Sequence, residues 1–184
     1  ADTCYVIRSS LPEPTDLGHL QACWAVVRWL VARGGTCVLD VHAGAFHHSD
    51  AIAAVPADAP FDIDREVTLV YESDEDSEGV GHLLHTRGMR KFGRPDLVTL
   101  ADPEDAPVLS EVVRQVATAM ADGFMPVQRH GIDLASGLTL YLQPYVPGEE
   151  LADVHLNNDG MLLVDEEGKR PRGLAGALGE AVEE

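Results

Sequence analysis

Positive charge is scarce in this chain: its 184 residues carry 13 lysines and arginines against 31 aspartates and glutamates, a formal net charge of −18. A surface of that sign repels phosphate backbones and anionic lipid, so nucleic-acid and membrane binding are not expected, whereas a basic protein partner is drawn in. A plain solvated surface accounts for the same excess, and composition does not choose between the two. Cysteine is sparse as well. Cys4, Cys23 and Cys37 are odd in number and sit in apolar stretches, which fits small buried thiols in the reducing cytoplasm and not a disulfide framework. Long apolar runs are missing: Ala25–Val27 and Trp29–Ala32 are separated by Arg28 and fall far short of the ~20 residues that span a bilayer. No basic stretch leading into an apolar one opens the chain, so no signal peptide is expected. The start at Ala1, just ahead of an expected strand, is instead consistent with a trimmed natural N-terminus.

The common catalytic signatures are also absent. There is no GxSxG elbow, Walker loop, dinucleotide fingerprint, HExxH or CxxC, and Gly34-Gly35 follows a helical stretch where a phosphate cradle would precede one. Carboxylates are so frequent that no catalytic pair stands out. No catalytic residue and no cofactor are expected, although a site assembled from scattered residues is compatible with the sequence.

Apolar residues make up 45% of the chain, enough for the core of one ordinary domain. Cys4–Arg8 reads as a first strand. A helix follows from an N-cap at Thr15 to about Arg33, with Leu17, Leu20, Trp24, Val27 and Val31 on one face and Gly34-Gly35 as its stop. Thr36–His42 reads as a second strand, so that a crossover with two parallel strands is expected. A short helix from Ser49, an alternating strand over Glu66–Glu72 and a partner strand over Val80–Thr86 come next, then a short strand at Leu97–Leu100. Leu109, Val112, Val113, Val116 and Met120 mark a second amphipathic helix behind Pro103 and Pro107, with Gly123 beyond its end. Val127–His130, Leu138–Tyr145, Val154–Leu156 and Met161–Val164 are further strands, the last two joined by the turn Asn157-Asn-Asp-Gly160. The expected fold is α+β: a single domain over residues 1–165, a mixed β-sheet of six to eight strands, and two main amphipathic helices packed on one face. Residues 166–184 are polar, then small, and read as a mobile C-terminal tail.

Two groups of side chains invite a chemical reading. Asp40 and His42 share a strand face, His47 and His48 lie close in sequence, and His85 is a further candidate; together they could hold a metal, with exposed or hydrogen-bonded histidines as the plainer account. Trp24 and Trp29, five apart on one helix, cannot point the same way; core packing of both is the plainer account, and Trp29 is a candidate interface anchor. The acidic run with Asp74, Glu75 and Asp76, together with the stretch Asp58–Glu66, could steer a basic partner, and Tyr145 is a second candidate anchor.

His85–Leu97 reads HTRGMRKFGRPDL and gathers four of the chain's 13 cations, Arg87, Arg90, Lys91 and Arg94. Gly88 and Gly93 permit backbone angles that other residues resist, Pro95 restricts Arg94 to extended angles, and Met89 and Phe92 can plug a core while the cations stay outside. The segment is either a connector whose cations balance nearby carboxylates or a contact surface for an anionic ligand or acidic partner. Exposed ion pairs are worth only about 0–1 kcal/mol each, a weak reason by itself for such a cluster. The same segment resembles the hallmark of the bacterial DUF4261 family: His-Thr, a glycine, then Phe-Gly-x-Pro, an acid and Leu, carried here by His85, Gly88, Phe92, Gly93, Pro95 and Asp96. The resemblance extends loosely over Cys4–Tyr145. It implies an α+β domain in soluble bacterial proteins, some encoded near toxin or type VI secretion genes, and brings no catalytic residues. The function expected from these observations is a non-catalytic protein-binding module, an immunity-type protein that neutralises a basic toxin. The alternatives are the histidine/aspartate metal protein or enzyme, and a secretion-system adaptor recognised through its tail.

Overall fold

The structure is a computed structural model and describes residues 3–10, 16–59, 61–72, 82–127, 129–134, 137–146 and 156–174. Helix α1 (Gly18–Val31) buries Leu20 and Val27, two members of the expected apolar face. Its first turn is closed by the Asp16 carboxylate, which accepts from the Gly18 N–H at 2.8 Å, and its end by Gly34 at φ +98°. β1 (Cys37–Asp40) and β2 (Ala45–His48) form an antiparallel hairpin, with Leu39 opposite Phe46. The short helices α2 (Ser49–Ala54) and α3 (Ile63–Glu66) lead into a six-stranded sheet. Its strands are β3 (Thr68–Glu72), β4 (His82–Arg87), β5 (Asp96–Ala101), β6 (His130–Asp133), β7 (Thr139–Pro144) and β8 (Gly160–Val164). Helix α4 (Ala106–Ala121) crosses from β5 towards β6.

The spatial order is β3-β4-β5-β8-β7-β6, antiparallel at every pair except the parallel β5–β8. The sheet is therefore mixed, and the single-domain α+β architecture is that expected. The core lies between the sheet and α4, where Leu84, Leu97, Leu142 and Leu163 meet Leu109, Val113 and Met120. Leu20 brings α1 into the same cluster. Strand alternation turns Leu83, His85 and Val98 to the opposite face, and they are buried too, so the middle of the sheet is covered on both sides. Among the described residues no helix is long and apolar enough to cross a membrane.

Several elements depart from the expectations. Cys4–Arg8 belongs to no strand, and Tyr5 and Val6 lie exposed, so there is no parallel crossover around α1. The chain reverses after β1 instead: Asp40 Oδ1 accepts from the His42 and Ala43 N–H groups at 3.0 and 3.1 Å, and Gly44 takes φ +66°. That side-chain-to-backbone turn competes successfully with a longer strand. The strand expected at Val127–His130 lies later, at His130–Asp133, beyond Arg129 at φ +56°. Asn157–Gly160 leads into β8, which pairs on both sides with β5 and β7; Leu156 is in no strand, and 154–155 lie outside the described residues, as does Thr15.

The ordered body also runs past residue 165. Asp105 is fully buried at the start of α4, and its carboxylate accepts from the N–H groups of Gly173 and Leu174 at 2.9 and 2.6 Å. Arg170 reaches Asp102 at 2.6 Å, and Leu174 is 1% exposed within the core cluster. The segment expected as a mobile tail from 166 is thus fastened as far as Leu174; 175–184 lie outside the described residues. Leu174→Ala is expected to lower unfolding free energy by about 2–5 kcal/mol, the usual cost of emptying a filled leucine site. A shifted urea midpoint checks it, and an unchanged midpoint would show that the segment contributes nothing to the core.

Candidate functional site

His85–Leu97 runs from the end of β4 through a short 3-10 turn, Met89–Phe92, into β5. Two glycines shape it. Gly88 holds φ +122° against α3, where a Cβ would lie 2.6 Å from the Glu66 carbonyl oxygen, and Gly93 ends the turn in the left-handed region. Met89 and Phe92 are buried between them, as the sequence suggests. The loop is closed from inside by Asp96, whose Oδ1 accepts from the Thr86 hydroxyl at 2.9 Å and the Met89 N–H at 3.2 Å. Thr86 Oγ1 also accepts from the Leu97 N–H at 2.8 Å. Burial pushes the Asp96 carboxyl above its ordinary range, against the opposing pull of Thr86, the Met89 N–H, Asn158 and His85.

The four cations do not form one surface. Lys91 is only 8% exposed, a correction to the expectation that all four stay outside. Its Nζ lies 2.6 Å from Asp40 Oδ2 and 2.9 Å from Glu66 Oε2, and Glu66 is itself 2% exposed. Glu66 Oε1 accepts from Trp24 Nε1 at 2.7 Å, and the ring of His19 contacts the Lys91 carbonyl at 2.7 Å. Burial works to raise the Asp40 carboxyl, but the Lys91 charge and hydrogen bond, with the Ala43 and His42 N–H groups, hold it below its ordinary range. Arg94 donates from Nε to the Met120 carbonyl at 3.0 Å, placing a cation at the C-terminal end of α4 where the helix dipole favours it. Arg90 is exposed and donates to the Asn157 carbonyl at 3.1 Å, while Asn158 donates to the Arg94 carbonyl at 2.7 Å. Arg87 is half-buried with its Nη2 4.0 Å from Glu72 Oε1. Each cation thus has a different protein partner, and the segment serves as a connector.

The metal-ligand set is not brought together either. Asp40 is held by Lys91, His47 and His48 alternate to opposite faces of β2, the backbone of His42 sits in the hairpin turn, and His85 lies on the other sheet. His47 packs edge-on against Trp24 at 5.4 Å, and the buried His85 ring lies between the Thr86 carbonyl and the Glu72 carboxylate. Among the described residues no three His, Cys, Asp or Glu side chains form a metal-holding group.

Of the two tryptophans, Trp24 joins the buried network and Trp29 is 54% exposed, with the Arg33 guanidinium 3.8 Å from its ring centroid. Asp58, Asp62 and Asp64 are exposed, whereas Glu66 is removed from the steering group by burial; Tyr145 is half-buried. Asp74, Glu75 and Asp76 lie outside the described residues. The sequence carried no mark for His19, and it marked Glu66 only as a steering acid and Asn157 and Asn158 only as turn residues, because the partners they hold lie dozens of residues away. Asp105 had one readable signal, its place directly before a proline-containing helix start, but the residues it holds come from the far end of the chain.

No family model, curated protein or solved structure matches this chain.

Removing the Lys91 ammonium leaves the Asp40 carboxylate without its ion-pair partner and Glu66 with only Arg65, whose Nε is 3.4 Å away. Lys91→Met is expected to destabilise the fold by about 3–5 kcal/mol, read as a drop in the urea midpoint. Asp96 makes an expectation for pH. Below its ordinary value of 3.8 the group is protonated in both states. Above it the unfolded chain ionises first while the folded carboxyl keeps its proton, so this contribution falls as pH rises towards the folded value. Asp96→Asn removes that fall, so the stability of the variant relative to the native protein should improve as pH climbs above 3.8. A constant difference across the range would refute the assignment.

Proposed function

We propose that this protein is a non-catalytic binding module that docks a basic partner protein, in the manner of an immunity protein occluding a toxin. The observation that carries this reading is where the charges lie. The cations of His85–Leu97 are engaged by the protein's own groups, and the chain keeps its net charge of −18 with Asp58, Asp62, Asp64, Glu72 and Glu111 on the outside. Fixed carboxylates around a rigid sheet steer a basic partner and reject acidic ones. The likeness of the His85–Leu97 segment to the DUF4261 hallmark points the same way; the three cysteines are unpaired, which suits the cytoplasm, but Cys4 and Cys37 are exposed and Cys23 half-buried, a correction to the buried thiols expected. The adaptor alternative is weakened because its proposed recognition tail is docked as far as Leu174.

The test is binding to the product of the neighbouring gene, measured by calorimetry at low and physiological salt. The expected result is a complex that weakens about tenfold or more as ionic strength rises through the range where the Debye length shortens from ~30 to ~8 Å. No complex at low salt, or affinity indifferent to salt, would sink the proposal.

A further inference from the structure

β3 is an outer strand of the six-stranded sheet, and among the described residues nothing pairs with its free side. An unpaired strand edge presents backbone N–H and C=O groups ready for another strand, and proteins that leave one open commonly use it. A second, independent feature adjoins this edge. Between β3, α3 and α4 lies a cleft of about 250 Å³, with Ile63, Val67, Leu69, Thr86, Val113 and Ala117 among its lining residues. That volume is below the ~300–1,000 Å³ of small-molecule pockets and suits one or two apolar side chains.

The register explains why the cleft opens at the edge. Leu69 pairs with Thr86, so both point to the face that carries α4, and alternation puts Tyr71 there too. α4 covers the β4 and β5 side of that face closely, yet Leu69 and Tyr71 stay partly exposed. A strand added outside β3 would send every second side chain to this same face, directly over the open end of the cleft. The rim is acidic. Asp64 lines it, Glu111 stands beside it on α4, and both already hold Arg114, at 3.1 and 2.9 Å; Asp62 precedes α3. Three carboxylates around one guanidinium that two of them already neutralise favour a basic occupant.

We propose that the free edge of β3 and the cleft beside α4 take an extended basic segment of the partner protein by strand addition, an apolar side chain filling the cleft and lysines or arginines meeting the rim. This rests on the reading of the protein as a binder of a basic partner, and names the surface that binds.

The probe is the peptide acetyl-Lys-Lys-Thr-Leu-Thr-Lys-Lys-amide, whose lysines at the second and sixth positions share a strand face with the leucine, titrated into the isotope-labelled full chain and followed by amide NMR shifts. Saturable shifts confined to β3, α3 and α4, including Leu69, Tyr71, Val113 and Ala117, are the expected result. N-methylation of alternate peptide bonds, which needs no change to the protein, should weaken binding about tenfold by removing edge hydrogen bonds. Ala117→Phe, which fills the cleft, should do the same; if it does not fold, Leu69→Ala on the exposed strand should weaken binding about fivefold. The version with glutamate for lysine should not bind. Lysine-dependent binding that ignores N-methylation and cleft substitution would overturn the strand-addition site while leaving the basic-partner reading standing. Equal binding of lysine and glutamate peptides would overturn the basic-partner reading. No saturable shift at millimolar peptide would overturn the site, and the calorimetry with the neighbouring gene product then decides the reading by itself.

Discussion

The Lys91 ammonium is the point at which four separate parts of the chain are tied. It binds Asp40 at the end of the hairpin and Glu66 at the end of α3, while Glu66 fixes Trp24 on α1 and the Lys91 carbonyl receives His19. A charge out of water is tolerated only when its hydrogen-bonding capacity is met. One lysine facing two carboxylates meets that condition and fixes a geometry at the same time. A hydrophobic lysine substitute could fill the space, but it would have no reason to hold the hairpin, α3 and α1 at these distances. The hairpin needs such a tie, since two strands by themselves are marginal in water.

Lys91 can be delivered there because the loop that carries it is rigid. Gly88 lets the chain pass against the Glu66 carbonyl, Met89 and Phe92 plug the core, and Asp96 fastens the loop from within through Thr86 and the Met89 N–H. Arg94 continues the same loop onto the end of α4, and Asn157 and Asn158 bind it to the approach of β8. The glycines, proline and cations of this stretch are therefore parts of one structural device. Within the fold the stretch serves as a junction between β4, α3, α4 and the approach of β8.

That assignment moves the functional question to the other sign of charge. With Arg65 3.4 Å from Glu66, the Lys91–Asp40–Glu66 network is balanced in charge, so the acidity that gives the chain its character is expressed outside, including the rim of the open β3 edge. An acidic strand edge beside an apolar cleft unites long-range attraction with a short-range directional contact. On the proposed reading, electrostatics would bring a basic chain close, and backbone pairing with one buried side chain would select its conformation.

Much of the fold was legible in the residues alone. Helices α1 and α4 follow from three- and four-residue apolar spacing, β3 and β4 from alternation, and the shape of His85–Leu97 from its glycines and proline, because each depends on neighbours within one or two turns of chain. The tertiary structure decided everything that depends on a distant partner. Cys4–Arg8 has the composition of a strand and no strand beside it; β8 was expected in a hairpin and instead lies between β5 and β7; Leu174 looked like tail and is core. Lys91 is the sharpest case. In the sequence it is one of four similar cations, and nothing local distinguishes it from Arg90. Only the arrival of Asp40 and Glu66, from 51 and 25 residues away, makes it internal, because a charge is stable in a protein's interior when its counter-charges are there to meet it.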